Sequence, residues 1–321
     1  MKLSVIIPVY NAAPWLHRCL SSVIGQTLRD IEIVCIDDMS TDGSGAIIEE
    51  LGQEDRRLRL LKSSEKLYDC GARQLGLDAA RGKYVYFMDS DDYIDPDYLE
   101  QMVKHLESSG KSSVTNASYV KEWDSPFKQQ AASSDFGFIR DGEVLYPSRT
   151  VQAHFPPVVW ARLFRMEYLV NNGIRWADIP IAADVAFTGL TTILDEGSYV
   201  FKGPMYHYIQ HPESLMNQKG RGFLDIRSFN HFYDEIRSRG IRTDGLRLYY
   251  LGPVMIEGQE QFDLLKSFFQ KVKDDIRRDS GFYVAHDLFV MEAILKCSCY
   301  EEYVKKYGKS TIAAFIRNKM S

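Results

Sequence analysis

Short apolar runs alternate with segments of helical spacing along the first 120 residues. The runs Leu3–Val9, Ile31–Ile36 and Tyr84–Met88 are almost wholly apolar, a pattern typical of parallel strands buried on both faces. Between them, Trp15–Ile24 and Gly71–Ala80 place their apolar residues at helical spacing. The repeated alternation predicts an α/β fold, with a doubly wound, mostly parallel sheet and helices on both faces. The other helices and strands predicted in this part are Ala46–Leu51, Leu58–Leu61, Pro96–Ser108 and Ser113–Val120.

The pattern changes twice further along the chain. After Lys121, Asp141-Gly142 between apolar runs predicts a hairpin turn. A strand and two helices are expected in this middle part, at Val158–Phe164, Glu167–Asn172 and Val185–Leu194. From Gly222 onward the pattern predicts amphipathic helices at Leu224–Arg239, Pro253–Arg278 and Ala285–Tyr307. The chain therefore divides into residues 1–120, residues 121–217 and a helical C-terminal region, residues 218–321.

Composition and charge narrow the class of protein. With 321 residues, 45% hydrophobic and 26% charged, the chain is typical of a soluble globular protein with a large core. The net charge of −5 is uneven, because residues 218–321 carry 18 basic and 14 acidic side chains while the remainder is acidic. Nucleic acid is therefore not expected as a partner. Five scattered cysteines, no leader and no uncharged stretch of 18 residues lead us to expect a cytoplasmic protein.

An acidic cluster follows the strand predicted at Tyr84–Met88. Asp89, Asp91 and Asp92 lie within four residues, and carboxylates this close repel one another unless water, a base or a cation neutralises them. Ligands of open α/β sheets bind at the carboxyl ends of the strands. Hard oxygen ligands suit Mg²⁺ or Mn²⁺, which would bind a phosphorylated substrate. A solvated turn that caps a helix starting near Asp95 is the alternative.

The neighbouring strand ends offer the other groups that a nucleoside diphosphate needs. Tyr10 follows the first strand, Asp37 and Asp38 end the second, and Arg73 lies at the start of the helix after the third. An aromatic ring can stack on a base, carboxylates can accept its hydrogen bonds, and an arginine near a helix N-terminus suits a diphosphate. No Gly-x-Gly-x-x-Gly follows the first strand, which argues against a dinucleotide-binding fold.

These motifs, in this order and spacing, resemble those of the family 2 glycosyltransferases with the GT-A fold. The resemblance rests on LSVIIPVYNAAPWLHRCLSSVIGQTLRDIEIVCIDDMSTDGS and GARQLGLDAARGKYVYFMDSDDYIDPDYLE; it is strong over residues 3–100, weaker to residue 217 and absent beyond. It implies an inverting transfer of a sugar from a nucleotide donor, most often UDP-linked, to an acceptor hydroxyl, with Mn²⁺ or Mg²⁺. It also implies polysaccharide or glycan biosynthesis of the bacterial surface type, with residues 1–120 binding the donor and 121–217 the acceptor.

The resemblance assigns a donor site by position in the family's motifs. Pro8 and Tyr10 would border the base, and Asp38 would hydrogen-bond the uracil. Arg73 would contact the base or the diphosphate. Asp37 lies at the same strand end, with capping of the following turn as its alternative role.

The resemblance also assigns a metal site. Asp89-Ser90-Asp91 matches the family's Asp-x-Asp motif, in which Asp91 is expected to bind the metal directly. Asp89 would reach the ribose or a metal-bound water, and Ser90 belongs to the same donor-binding loop. His211, in a motif that closes the similarity, would reach the diphosphate or the metal; a surface histidine is the alternative.

The expected catalytic base is Asp184, which matches the family's aspartate at the head of a helix and would take the proton of the acceptor hydroxyl. A helix-start acid stabilised by the helix dipole is the alternative. Ala183 stands where the family has glutamate, and Lys66 and Gln74 also depart from the family's pattern. Ala183 leaves a second function open, a nucleotide-sugar-binding protein with impaired or lost catalysis, whereas the changes at Lys66 and Gln74 bear on the identity of the donor.

Several further side chains have two interpretations. Trp160, Arg162 and Trp176 line an acceptor pocket or pack in the core, and His207 is a second candidate for the role given to His211. Residues 296–319 mix basic and aromatic side chains, as in an amphipathic end that lies on an anionic membrane surface. Peripheral contact with the inner membrane face would suit a lipid-linked glycan acceptor. Packing on the catalytic domain, or against a second copy in a homo-oligomer, is the alternative.

Overall fold

The computed structural model describes residues 1–124, 132–135, 144–146, 158–178, 184–195, 198–212, 221–241, 258–278 and 285–308. The hairpin predicted at residues 141–142 lies outside the described residues. Two compact units make up the chain, Met1–Asn217 and Gln218–Ser321.

The strands and helices all have short connections in the first 124 residues, as the pattern predicted. The strands are β1 Leu3–Val9, β2 Ile31–Asp37, β3 Leu58–Lys62, β4 Tyr84–Phe87, β5 Tyr93–Ile94, β6 Ser113–Asn116, β7 Ser118–Trp123, β8 Ala132–Asp135, β9 Val144–Tyr146, β10 Arg162–Arg165, β11 Ser198–Phe201 and β12 Tyr206–Gln210. The helices of the first unit are α1 Ala13–Ile24, α2 Ser44–Glu54, α3 Tyr68–Ala79, α4 Tyr98–Ser109, α5 Met166–Asn171 and α6 Asp184–Leu194.

A mostly parallel sheet forms the centre of the first unit. Among the described residues it has eight strands in the order β3-β2-β1-β4-β10-β6-β11-β9. β1 pairs in parallel with β2 and β4, so that Leu3 lies opposite both Ile31 and Tyr84, whereas β10 runs antiparallel between β4 and β6. The described residues also form a smaller sheet, β5-β12-β7-β8. The predicted fold class, a doubly wound and mostly parallel sheet, is confirmed.

The strand predicted at Ser113–Val120 is in fact two strands in different sheets. β6 belongs to the main sheet and β7 to the smaller one, and the break falls at Ala117. Asn116 fixes the break, because its Oδ1 accepts from the N–H of Ser118 at 3.0 Å and its Nδ2 donates to the carbonyl of Pro204 at 2.8 Å. A hydrophobic run cannot show such a change of sheet, since both halves keep an extended backbone.

The second unit contains four described helices, α7 Arg221–Ser238, α8 Gln259–Arg278, α9 Ala285–Lys296 and α10 Tyr300–Tyr307. The prediction of one helix over Ala285–Tyr307 is wrong, because the backbone leaves the helix at Cys297. Ser298 donates through its N–H and its hydroxyl to the carboxylate of Glu302, both at 2.7 Å, so a glutamate in the first turn of α10 reaches back to the residues before the helix. Buried rings of Phe262 and Tyr303, 5.8 Å apart, pack α8 against α10. Within the described helices, none has the length and apolar character needed to span a membrane.

Helix α3 lies unusually close to the main sheet at Gly76. A Cβ atom at this position would lie 2.4 Å from Ile6 Cγ2 and 2.7 Å from Ile36 Cδ1, so the missing side chain sets how near the helix approaches β1 and β2. Arg73 lies three residues earlier on the same helix. The close packing therefore also fixes the first turns of α3 at the carboxyl edge of the sheet.

Gly76→Ala is expected to lower the free energy of unfolding by about 1–3 kcal/mol, because the added methyl overpacks the contact between helix and sheet. Gly52→Ala in α2 is the matched control, since a Cβ there would meet its nearest neighbour, Leu58 Cδ2, at an ordinary 3.5 Å. The control should be neutral or stabilising by up to ~1 kcal/mol, because alanine favours a helix over glycine. Urea unfolding of both variants measures the difference; equal stability would contradict the close approach.

Candidate active site

The carboxyl edge of the main sheet gathers the polar residues that the sequence singled out. Because β2, β1 and β4 are adjacent and parallel, the loops that follow them meet at one edge. Asp38 follows β2, Tyr10 follows β1, and Asp89 and Asp91 follow β4. Residues far apart in the sequence thus come together on neighbouring loops.

Arg73 lies at the centre of this edge and is only 3% exposed. Its Nη1 donates to Asp69 and, at 3.0 Å, to Oδ1 of Asp184, while its Nη2 donates to Oδ1 of Asp89 at 2.5 Å. The guanidinium carbon also lies 4.9 Å from the ring centroid of Trp176. One cation therefore joins the expected base, Asp184, to the first carboxylate of the Asp-Ser-Asp loop.

The protonation of these groups is shifted by burial and by their neighbours. Burial raises the pKa of Asp184 to about 6, although the charge of Arg73 opposes the shift. Burial likewise raises the pKa of Asp69 and of Asp89, where the neighbouring carboxylates add to the effect and Arg73 again opposes it. Burial alone would lower the pKa of Arg73, but the surrounding carboxylates raise it above its ordinary value. Arg73 is therefore a permanent positive charge among carboxylates that bind protons readily.

Asp91 pairs with His211. The Nε2 atom of His211 lies 2.9 Å from Oδ2 of Asp91, and its ring stacks on Trp15 with centroids 4.0 Å apart. Trp15 is held in turn, because its Nε1–H donates to Asp124 at 2.6 Å. His211 is buried while Asp91 keeps a quarter of its side chain exposed, so the carboxylate is accessible to a ligand. The structure therefore brings together two of the three residues predicted for a metal.

Asp91 and His211 fit a divalent metal ion whose remaining ligands would come from a nucleotide donor and water. Within the part of the chain that the structure describes, no three His, Cys, Asp or Glu side chains form a complete metal cage. Mg²⁺ at nucleotide sites needs none, since it is bound by one or two carboxylates together with phosphate oxygens and waters. Asp91 supplies such a carboxylate, and His211 would supply its Nε2 atom only by leaving Oδ2 of Asp91, which it bonds at 2.9 Å. Asp89 is less available to a metal than Asp91, because Arg73 already bonds its Oδ1.

Asp92 fixes the Asp-Ser-Asp loop to β12. It is completely buried, and its carboxylate accepts from the hydroxyl of Tyr206 at 2.5 Å and from the N–H of Ile209 at 2.7 Å. Burial raises the pKa of Asp92 well above its usual range. Since His211 follows directly after β12, this connection positions it beside Asp91.

Two alternatives drawn from the sequence fail. The acidic cluster at residues 89–92 does not cap the following helix, because the N-cap of α4 is Asp97. His207 does not face the Asp-Ser-Asp loop, because its two ring nitrogens bond Asp95 at 3.0 Å and Glu122 at 2.7 Å. His207 therefore joins strands of the smaller sheet.

The carboxylates expected to bind the nucleobase lie at the end of β2. Asp37 accepts from the N–H of Ser40 at 3.0 Å, which is the turn-capping role given as its alternative. Asp38 is 2% exposed and accepts from the backbone N–H groups of Leu67 and Tyr68. Both carboxylates thus shape the loops of this edge.

The other expected donor-site residues differ in exposure. Tyr10, directly after β1, is 54% exposed. Pro8 near the end of the strand is half-buried, and so is Ser90 between the two aspartates. An exposed aromatic ring on a rigid strand end is available for stacking.

The three side chains considered for an acceptor pocket belong to the core. Trp160, Arg162 and Trp176 are each only 4–5% exposed. Trp160 stacks on Tyr206 with centroids 4.2 Å apart, and Trp176 stacks on Phe187 at 4.3 Å. The burial of these three side chains therefore supports core packing, which was the alternative to an acceptor pocket.

Sequence reasoning missed two residues of the edge, Asp69 and Trp15. Asp69 lies four residues before Arg73 on α3, a spacing that is a readable signal for a helical ion pair. Trp15 had no local signal, because its partner His211 lies nearly 200 residues away. Ala183 and the basic residues after position 308 lie outside the described residues.

Residues 4–166, about half of the chain, match the family described as Glycosyl transferase family 2. Together with the doubly wound sheet and the polar edge, this match defines the class of the protein as that of the glycosyltransferases. The chain belongs to glycosyl transferase family 2.

Named relatives share part of the chain. Glycosyltransferase GlyA of Streptococcus pneumoniae is 44% identical over 105 residues, which are 33% of this chain and 15% of GlyA. The putative glycosyltransferase EpsH of Bacillus subtilis is 26% identical over 220 residues, 67% of this chain and 63% of EpsH. The chain thus spans less than two thirds of either relative.

Solved structures share the fold. Staphylococcus aureus TarS 1-349 in complex with UDP superposes with a TM-score of 0.66 and 17% identity, over 99% of this chain and 92% of that one. The mannosyltransferase PcManGT from Pyrobaculum calidifontis, in complex with GDP-Man and Mn²⁺, gives a TM-score of 0.53 and 17% identity over 99% and 87%. At such identities the likeness concerns the fold alone.

Proposed function

We propose that this chain is an inverting, metal-dependent glycosyltransferase that moves a sugar from a UDP-sugar to the hydroxyl of a glycan or polysaccharide acceptor. The observation that carries the proposal is Arg73, whose guanidinium bonds Asp184 and Asp89 at once. This contact keeps the candidate base beside the edge where a diphosphate would bind, as a single displacement requires. Residues 1–120 are assigned to the donor and residues 121–217 to the acceptor.

The chemistry of the chain's own residues follows from this arrangement. Asp184 takes the proton of the acceptor hydroxyl as its oxygen attacks the anomeric carbon from the side opposite the diphosphate. The configuration at that carbon inverts, and no covalent enzyme intermediate forms. Arg73 holds Asp184 in place, while Asp91 and His211 would hold Mn²⁺ or Mg²⁺ against the diphosphate. The metal, when bound, offsets the charge on the departing diphosphate as a Lewis acid.

The choice of donor and metal is supported by the structural neighbours. TarS contains UDP in one structure and UDP-GlcNAc in another, and PcManGT contains Mn²⁺ with GDP-Man. A nucleoside diphosphate linked to a sugar is the ligand common to these proteins. UDP is preferred here because the two UDP-containing structures have the higher TM-scores.

A nucleotide-sugar-binding protein without turnover is the second candidate. It is favoured by Ala183, which stands where the family has a glutamate beside the catalytic aspartate. Release of the nucleotide from UDP-, GDP- or dTDP-sugars in the presence of Mn²⁺ distinguishes the two. Thermal stabilisation by these donors without any release would favour the binding protein.

Asp91→Asn is expected to reduce Mn²⁺-dependent nucleotide release about 100-fold, because it removes the accessible carboxylate of the metal site. It should also weaken the Mn²⁺-dependent part of the thermal shift given by UDP. The matched control is Asp78→Asn, the same change at an exposed surface ion pair with Arg175. Equal nucleotide release by both variants would show that Asp91 does not bind the metal.

A further inference from the structure

The carboxylate of Asp38 is fully engaged by residues that precede and begin α3. Its Oδ1 accepts from the N–H of Leu67 at 2.7 Å and lies 3.1 Å from the hydroxyl of Ser63. Its Oδ2 accepts from the N–H of Tyr68 at 2.9 Å and lies 3.0 Å from the Nζ atom of Lys66. A carboxylate has about four acceptor positions. Asp38 therefore accepts a hydrogen bond from a ligand only if one of these four donors leaves.

Lys66 is the donor that can leave at least cost. Its ammonium group contacts Oδ2 and the backbone oxygen of Asp38, both at 3.0 Å, and lies 2.8 Å from the ring centroid of Tyr10. The side chain is 30% exposed and ends a flexible four-carbon stem, whereas the backbone N–H groups of Leu67 and Tyr68 are fixed at the start of α3. A small rotation of Lys66 would free Oδ2 while the ammonium group stays close to it.

Lys66 lies beside exposed aromatic rings that can stack on a flat ligand such as a nucleobase. Tyr10, Met39 and Tyr68 are 54%, 50% and 48% exposed; the first two lie on loops of this edge, and Tyr68 is the first residue of α3. The Nζ atom of Lys66 lies 5.9 Å from the ring centroid of Tyr68 as well as 2.8 Å from that of Tyr10, so one ammonium group has two exposed rings in reach. Bases stack on such rings regardless of sequence.

The backbone around this group is also strained. Asn11, Met39 and Tyr68 all have positive φ, of 50°, 64° and 56°. Residues other than glycine rarely adopt this conformation, and such strain is concentrated at functional sites. Two of the strained positions lie on loops and the third is the first residue of α3, so the strain is concentrated in the backbone that carries the exposed rings.

We propose that Lys66 selects the nucleobase of the donor by its hydrogen-bonding edge, acting beside Asp38, whose hydrogen bond to the base is already expected from the family resemblance. Lys66 moves from Oδ2 of Asp38 to a ring carbonyl of the base, and Oδ2 then accepts from the ring N–H beside that carbonyl. Uracil, thymine and guanine present this pair of groups. Cytosine and adenine present an unprotonated ring nitrogen beside an amino group. The ring nitrogen would then face the carboxylate of Asp38, and the amino group would face the ammonium group of Lys66, so neither pair could form a hydrogen bond. The inference rests on the proposed function and makes Lys66 the residue that determines base specificity.

Binding of UDP and CDP in the presence of Mn²⁺ tests the proposal, because the two nucleotides differ only at this edge. Isothermal titration of the full chain is expected to give a dissociation constant for CDP about 100-fold above that for UDP. Lys66→Met should weaken UDP about tenfold and CDP less than threefold, so that the discrimination falls about tenfold. Lys66→Arg keeps the charge and the donors, and should retain most of the discrimination.

Lys62→Met is the matched control, since Lys62 lies at the end of β3 in an exposed ion pair with Glu49 and its loss changes the net charge equally. It should leave both affinities unchanged. Equal weakening of UDP and CDP by Lys66→Met would overturn the inference, because Lys66 would then act on the diphosphate. Equal binding of UDP and CDP by the unmodified chain would overturn the inference alone, whereas failure to bind any of UDP, GDP and CDP would refute the proposed function as well.

Discussion

Asp184→Asn is expected to abolish sugar transfer while nucleotide binding persists. An amide has the shape of the carboxylate but does not accept the proton of the acceptor hydroxyl, and a positioned general base contributes roughly 10²–10⁴-fold to rate. The expected loss of kcat is therefore of that order, with the affinity for UDP changed less than threefold. Nucleotide release and UDP titration on the same preparation measure the two quantities.

The pH dependence of the unmodified enzyme provides an independent test of the same residue. Because the pKa of Asp184 is raised to about 6, the carboxylate is charged and competent above this pH and becomes protonated below it. The rate should therefore fall by about tenfold per pH unit below pH 6 and level off above it. Residual release by Asp184→Asn should lack this inflection. An unchanged kcat in Asp184→Asn would show that Asp184 is not the catalytic base and only stabilises the start of its helix.

Arg73→Met is expected to destabilise the first unit strongly. Arg73 is 3% exposed and bonds Asp69, Asp89 and Asp184, so its removal leaves carboxylates at this edge without their cation. Breaking one side of a buried ion pair costs roughly 3 kcal/mol of unfolding free energy. Sugar transfer should also be lost, because Asp184 and the Asp-Ser-Asp loop are no longer held together.

The destabilisation by Arg73→Met should shrink as the pH is lowered from 8 to 5. The pKa values of Asp69 and Asp184 are already raised with Arg73 present, and removing this cation raises them further. Near pH 5 these carboxylates bind protons in the folded state and no longer repel one another, so the folded state recovers stability relative to the unfolded state. Urea unfolding at the two pH values, with EDTA present, measures the change.

Arg175→Met is the control for this experiment. Arg175 also pairs with an aspartate, Asp78, but both side chains are at least half exposed, at 61% and 50%. Exposed pairs contribute little, so the expected change is within about 0.5 kcal/mol. A loss in Arg73→Met no greater than in Arg175→Met, or one independent of pH, would show that Arg73 does not neutralise the carboxylates.

Local patterns were sufficient for β1 to β4 and α1 to α4. The apolar run of β1 and the helical spacing of α1 show which faces of each element are apolar, and this periodicity can be read from residues that are close in the sequence. The same reasoning failed at Ala117, where one extended run divides between two sheets, and at Cys297, where one amphipathic run becomes two helices. In both cases a few specific hydrogen bonds decide the break, and they leave the hydrophobic pattern unchanged.

The site shows the same division. Strand ends carry the polar residues of a parallel sheet, so Tyr10, Asp38 and Asp91 could be assigned to one edge from their positions after apolar runs. The partner of each side chain could not be assigned in this way. His211 stacks on Trp15 and bonds Asp91 across more than a hundred residues, and Lys66 lies on Tyr10 while it bonds Asp38.

The sequence by itself determined the doubly wound sheet, the edge at which its polar residues gather and the family to which the resemblance pointed. These follow from periodicity and from the order of motifs, which are properties of local sequence. Only the tertiary structure decided that Arg73 ties Asp184 to Asp89, that Asp92 fastens β12, and that Lys66 occupies Asp38. The physical reason is that burial and charge pairing depend on which loops and helices meet, and that is set by long-range packing.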